Sequence, residues 1–292
     1  MMEKENERNG LPRLPCVADI SVLPEGCISD IVSLTTPKDA CTACAVSPIF
    51  RAAAESNAVW ERFLPSDYQA IIARSSSSLD SLNFSSKKHL YLSLSDNPIL
   101  IDDSKKCFFL DKLSGKKCYL LSARDLCIIW GDTPQYWRWV SQSESRFPEV
   151  AELNYVWWFD IRGKMSTSVL SPKTNYAAYL VFKLRRRASG FNPPPKASVG
   201  TTGGVEDYKQ TVCLGLPARE PRQQHQIVPS LPQQHNLHPK QRKDGWLEIK
   251  LGEFFNEGGE DDQLKIRLME VEAGTVKSGL IVEGIEIRPT KG

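Results

Sequence analysis

Three tryptophans crowd one short stretch, Ile129-Trp130-Gly131-Asp132-Thr133-Pro134-Gln135-Tyr136-Trp137-Arg138-Trp139. Flat aromatic rings offer a platform for the C–H faces of sugar rings, and Asp132 and Gln135 supply acceptors for hydroxyl groups. If Tyr136–Val140 is a strand, Trp137 and Trp139 share a face, while Tyr136, Arg138 and Val140 point the other way. The competing reading is that such rings fill a sandwich core, which is the commoner fate of any single Trp.

Other reactive residue types lack the company that chemistry needs. Cys41 and Cys44 have the spacing of a metal or redox pair, but no second pair exists to complete a zinc site. Both are expected to face the core of a short helix. Three of the four histidines, His225, His235 and His238, lie between residues 217 and 244 without any Cys. Five Pro, six Gln and three His fill half of those 28 positions, so the stretch reads as a mobile loop with little to bury. Arg185-Arg186-Arg187 reads as a solvated strand end, with a nuclear address or anion site as the alternative. Gly115-Lys116-Lys117 lacks the upstream glycine of a phosphate loop, and Glu260-Asp261-Asp262 reads as an acidic turn. No Gly-x-Ser-x-Gly elbow is present. No catalytic residue, metal or cofactor is assigned, and the chain is read as a non-enzyme.

The balance of 37 basic against 35 acidic side chains argues against binding nucleic acid chiefly through phosphates. The longest apolar runs are far short of the roughly 20 residues that cross a bilayer. The first residues, MMEKENERNG, form no secretory h-region, so the cysteines are expected to be reduced and mostly buried, in the cytoplasm or nucleus.

Several kinds of element must position these residues. Residues 1–22 read as a flexible tail. Residues 23–74 read as short helices: Leu23-Pro24-Glu25 opens the first, with Ile28, Ile31 and Val32 at helical spacing. Thr36-Pro37 and Ser47-Pro48 supply caps for the next two. Residues 75–87 are a serine-rich linker, with seven serines between 75 and 86. Residues 88–118 read as a connecting segment with a hairpin, Cys107–Leu110 and Cys118–Leu121 flanking Ser114-Gly115. Beyond it the period is two: Ala178, Leu180, Phe182 and Leu184 on one face, and Leu247, Ile249 and Leu251 on another. Leu280 and Val282 are out of phase with Ile285 and Ile287, so Gly284 is read as a bulge. The fold expected is α+β, a small helical domain followed by an antiparallel β-sandwich.

Two resemblances add to this. Residues 23–64 resemble an F-box through Leu23-Pro24-Glu25, Ile28, Ile31-Val32, Asp39, Val46-Ser47, Phe50-Arg51 and Val59-Trp60. They depart from its usual pattern at Ala40-Cys41 and Phe50, which stay apolar. Residues 119–289 are similar to the phloem-protein-2 lectin family of plants. The matches are Ser122–Leu126, the Trp130–Trp139 run, Val150–Leu153, Trp158–Lys164, Tyr176–Leu184, Asp244–Phe255, Arg267–Val271 and Gly279–Pro289. Together they resemble plant F-box proteins of the phloem-protein-2 B type. The resemblance implies a jelly-roll sandwich and a substrate-receptor subunit of an SCF-type cullin–RING ubiquitin ligase. Leu23, Pro24, Ile28, Ile31 and Val32 would face the SKP-type adaptor, and through it the cullin and RING subunits. Trp130 and Trp137 match the sugar-binding tryptophans of lectin members, with Trp139, Asp132 and Glu270 added beside them. The target implied is a glycoprotein or oligosaccharide containing N-acetylglucosamine. A stress lectin without ligase role, or a receptor for a protein degron without sugar binding, are the alternatives.

Overall fold

The computed structural model describes residues 20, 23–75, 84–202, 208–215, 238–259 and 262–290. The tail over 1–22, the serine-rich stretch and the loop over 217–244 fall largely outside them.

Five short helices come first: α1 (Glu25–Ser33), α2 (Pro37–Ala43), α3 (Pro48–Glu55), α4 (Asn57–Phe63) and α5 (Tyr68–Ala73). Side-chain caps set the starts of α2 and α3. Thr36 and Asp39 form a reciprocal capping box ahead of Pro37, and Ser47 accepts from the Phe50 N–H ahead of Pro48. The helices close around Ile28, Val32, Ala53, Ala54, Val59 and Trp60, all buried. The Trp60 Nε1–H is satisfied by the Ala54 carbonyl at 2.7 Å.

A sixth helix, α6 (Lys87–Asp96), joins this bundle to the sandwich. Its Tyr91 ring lies 5.1 Å from Trp60, and its hydroxyl donates to the Asp111 and Lys112 carbonyls. Arg74 forks onto Asp102 at 2.9 and 2.7 Å, and the buried Lys117 reaches Asp67 at 3.1 Å. The segment over 88–118 is therefore part of both bodies rather than a tether. Its strands β1 (Ile99–Ile101) and β2 (Lys106–Leu110) belong to the main sheet, where β2 pairs with β3 (Lys117–Ser122).

The remaining strands are β4 (Cys127–Ile128), β5 (Trp137–Val140), β6 (Val150–Leu153), β7 (Phe159–Ser166), β8 (Thr174–Ser189), β9 (Lys196–Thr201), β10 (Tyr208–Thr211), β11 (Lys240–Gln241), β12 (Leu247–Asn256), β13 (Gln263–Glu270) and β14 (Ser278–Pro289). They form a jelly-roll sandwich of two antiparallel sheets. One has nine strands, along β1-β2-β3-β14-β8-β12-β11, with β6 beside β14 and β5 beside β6; the other runs β10-β9-β13-β7-β4. The end of the 217–244 stretch is thus a sheet edge, β11 against β12. The main core lies between the sheets and holds Leu121, Phe159, Ile161, Leu180, Phe182, Leu264 and Leu268. A smaller cluster of Leu120, Phe147, Val181, Trp246 and Ile281 covers the outer face of the larger sheet. With both faces covered, β3 is buried at all six positions and loses the alternation of a half-solvated strand.

The β14 register shifts between Val282 and Gly284, which brings Leu280, Val282, Ile285 and Ile287 all to the main core. A Cβ at Gly284 would lie 1.9 Å from the Leu121 carbonyl oxygen, so only glycine permits this approach. Of the seven described cysteines, only Cys107 and Cys118 are buried. Cys41 is exposed and Cys44 half-buried, contrary to the expectation that both face the core. No helix among the described residues is long and apolar enough to cross a membrane.

Candidate functional site

The β4–β5 connection is a chain of turns. The Gly131 N–H donates to the Ile128 carbonyl, the Thr133 N–H to Trp130, and the Trp137 N–H to Thr133, at 2.9–3.0 Å. Gly131 has no room for a side chain, since a Cβ would meet the Ile128 oxygen at 2.9 Å. Its neighbour Trp130 sits at φ 63°, in the left-handed region that bulky residues avoid. Such strain costs about 1–3 kcal/mol and persists only where the surroundings impose it. Here it turns the indole outward, leaving Trp130 50% exposed.

Other rings gather round it. Tyr136 and Trp158 meet Trp130 edge-on, with centroids at 5.9 and 6.2 Å, and Tyr155 meets Tyr136 at 5.7 Å. Trp157 is exposed next to Trp158. The β6–β7 connection carries Tyr155, Trp157 and Trp158, and Asn154 ties it to the first loop by donating to the Pro134 and Tyr136 carbonyls. Asp132 and Gln135 are exposed on the first loop, and the Gln135 amide reaches the Tyr155 hydroxyl. The result is an aromatic ridge with polar groups on its flank, the pairing of surfaces that saccharide rings present.

Trp137 and Trp139 are not part of that ridge. Trp137 is 1% exposed and fills the main core, which corrects its expected role as a sugar platform. Trp139 is half-buried on the same face of β5. Its ring lies under the Arg124 guanidinium at 3.6 Å, and its Nε1–H donates to the Gly131 carbonyl. It supports the turn that displays Trp130.

Glu270 is also corrected. It is buried, so it offers no acceptor to a ligand on the surface. One of its oxygens accepts from the Glu272 and Ala273 N–H groups, and the other pairs with Lys277. Lys277 is completely buried and donates to the Trp157 and Thr275 carbonyls at 2.8 and 3.0 Å. Its backbone bridges Val156 in both directions. Glu270 thus holds Lys277, and Lys277 holds the loop that carries Trp157 and Trp158. Burial pushes the Glu270 carboxyl up, but Lys277 and the two N–H donors outweigh it and hold the group below the usual carboxylate range. Asp160 anchors the other side: its carbonyl accepts from the Ile129 N–H, and Arg267 and Arg162 grip its buried carboxylate.

In the helical bundle the five expected adaptor residues separate. Ile28 and Val32 are interior residues, which corrects their assignment to the adaptor face. Leu23, Pro24 and Ile31 are exposed. Leu34 and Val46, at 72% and 67% exposed, join them as apolar groups without cover. Val46 enters the sequence reading only as an F-box match and Leu34 not at all, although both fall just past helix ends, where an apolar residue has no intrahelical duty. Among the described residues no cluster of His, Cys, Asp or Glu could hold a metal ion.

Residues 116–289 match the phloem protein 2 family. Relatives from Arabidopsis thaliana extend the likeness over the helical part. "F-box protein PP2-B10" is 47% identical over 271 residues, covering 92% of this chain and 93% of its own. "F-box protein SKIP3" is 40% identical over 272 residues, covering 92% and 88%. The chain belongs to the phloem protein 2 family. Its likeness to the PP2-B relatives runs through α1–α6 as well as the sandwich. Among solved structures, a family 35 carbohydrate-binding module from Clostridium thermocellum aligns with 58% of this chain and 96% of its own at 11% identity and TM-score 0.29. TmCBM61 in complex with β-1,4-galactotriose aligns with 58% of this chain and 91% of its own at 10% identity and TM-score 0.30.

Proposed function

We propose that this chain is a non-catalytic substrate receptor. Its helical bundle docks an SKP-type adaptor of a cullin–RING ubiquitin ligase, and its sandwich holds the target. The observation that carries the reading is the union of two unlike surfaces on one rigid frame. Exposed Leu23, Ile31, Leu34 and Val46 lie on the bundle, and the Trp130–Tyr136–Trp158 ridge lies on the sandwich. Tyr91, Arg74 and Lys117 lock the two bodies together. The F-box names of the relatives support it.

The chain's contribution is proximity. A fixed frame between adaptor and target converts a chance meeting with charged ubiquitin into a near-intramolecular one. The ridge is suited to the apolar face of a pyranose ring, and an N-acetylglucosamine-bearing glycan is the ligand we assign to it. Trp130 and Trp158 are the stacking residues, and Asp132 and Gln135 the hydroxyl partners.

Co-purification with an SKP-type adaptor tests the first half. The double variant Ile31→Asp/Leu34→Asp, both exposed, is expected to lose the adaptor and keep its melting temperature. A glycan array tests the second half: binding lost in Trp130→Ala and Trp158→Ala, with folding retained, supports the ridge. No glycan bound by the folded protein refutes the sugar reading.

A further inference from the structure

The outward face of the five-stranded sheet carries a groove of about 910 Å³. Core-facing Ile161, Leu264, Ile266, Leu268 and Ala197 alternate with outward residues, and five outward residues that line the groove are cationic. Arg162 and Lys164 come from β7, Lys265 and Arg267 from β13, and Lys196 from β9.

The register pairs like with like. Lys164 stands directly opposite Lys265, and Arg162 opposite Arg267. Like charges facing each other across an antiparallel pair destabilise a sheet. One carboxylate, the buried Asp160, serves both arginines and holds their guanidinium groups in place by the Nε and Nη2 hydrogens. Lys164 and Lys265 have no acidic partner among the described residues. Of the other acids nearby, Glu272 is taken by Lys196 at 2.6 Å, and Asp125 faces Lys106 at 3.5 Å. Asp160 offsets the arginine row, but the Lys164/Lys265 row is a cost to folding that no acidic contact among the described residues offsets.

We propose that this groove binds an extended acidic segment of a protein target, with carboxylate or phosphate groups at alternate positions. Successive cation rows, Lys164/Lys265 and Arg162/Arg267, are two residues apart along their strands, hence roughly 6.5–7 Å. Side chains at i and i+2 of an extended peptide repeat at the same spacing, so a peptide laid along the strands sets one acid over each row. Anchored guanidiniums suit planar or tetrahedral oxyanions, and each lysine adds a mobile charge. The described lining has no aromatic ring, so it offers no platform for a neutral sugar or for nucleotide bases. Met269 gives an apolar floor for a peptide backbone instead.

The proposal rests on the receptor reading and names the chemistry of its target. Its test is separate, because peptide binding is measured on the full chain without adaptor. Fluorescence anisotropy at low salt would use a labelled peptide with Glu at alternate positions, its phosphoserine counterpart, and a Lys-substituted control. A short oligonucleotide and a sulfated oligosaccharide serve as competitors. The acidic peptides are expected to bind and the Lys peptide not, with affinity falling as salt rises. The deciding variant is Lys265→Glu. It replaces a repulsive cross-strand pair by an attractive one, so the melting temperature is expected to hold or rise while affinity falls about tenfold or more. Preference between the two acidic peptides tells carboxylate from phosphate. The proposal is overturned if the wild-type protein binds neither acidic peptide, if Lys265→Glu binds them as tightly, or if either competitor displaces them at lower concentration than unlabelled peptide.

Discussion

Replacing Lys277 by Met keeps the length of the side chain and removes its charge. In the native fold the ammonium is fully buried, and its three donors are used by Glu270, the Trp157 carbonyl and the Thr275 carbonyl. Lys277→Met therefore leaves a buried carboxylate with only the Glu272 and Ala273 N–H groups on one oxygen. Breaking a buried pair from one side costs about 3–5 kcal/mol, because the remaining charge stays desolvated. At about 2–4 °C per kcal/mol for a domain of this size, the melting temperature should drop on the order of 10 °C.

The pH dependence gives this reasoning its sharpest test. In the wild type the folded-state value of Glu270 lies below its ordinary one. Its ionised form then contributes stability above the unfolded value, near ~4.3, and that contribution is lost as pH falls through the folded value. Without Lys277 burial dominates, and the folded-state value of Glu270 rises. The variant's protonated carboxyl is then the favoured form, and stability is lost as pH rises. The gap between wild type and Lys277→Met should thus be widest near neutrality and narrow toward pH ~4. Adding Glu270→Gln removes the stranded charge and should recover about 1–3 kcal/mol at neutral pH. Urea unfolding followed by tryptophan fluorescence suits the measurement, since six of the seven tryptophans lie in the sandwich. A neutral-pH cost below about 1 kcal/mol, or a gap that widens in acid, would refute the buried-pair account.

Three further outcomes are expected. Gly284→Ala must push β14 off the Leu121 carbonyl, which a Cβ would approach to 1.9 Å; thermal unfolding should register about 3 kcal/mol, the upper end for overpacking. Trp137→Ala should cost about 3–5 kcal/mol as a core truncation, whereas the exposed Trp130→Ala should stay within about 1 kcal/mol; equal costs would contradict their different burial. Iodoacetamide should label Cys27, Cys41 and Cys127 in the native protein, while Cys107, its thiol pushed up to about 12 by burial, and Cys118 react only after unfolding; peptide mapping reads the difference.

Much of the fold is legible because local physics determines it. Thr36-Pro37 and Ser47-Pro48 start helices where capping chemistry requires them. The phase break between Val282 and Ile285 marks the bulge that the β14 register shift contains. The hairpin strands within 88–118 are readable from their period, but their membership of the nine-stranded sheet is not, because it depends on pairing β3 with a strand some 160 residues away.

The candidate site is less legible for a related reason. Alternation tells which residues of β5 share a face, and Trp137 and Trp139 do share one. It does not tell whether that face meets the core, which the far strands settle. Trp130 escapes the core through a left-handed backbone beside Gly131, a turn property with no periodic signature. Glu270 sits in a quoted motif and invites a ligand role, yet its partner Lys277 lies on the next connection and reaches across to Trp157. A carboxylate near tryptophans in sequence can serve a ligand directly or serve the loop that presents the rings. Burial decides between these, and at Glu270 it decides for the loop. The same criterion separates Ile28 from Ile31 in α1: one helical turn carries both, and only the exposed Ile31 is free to meet a partner.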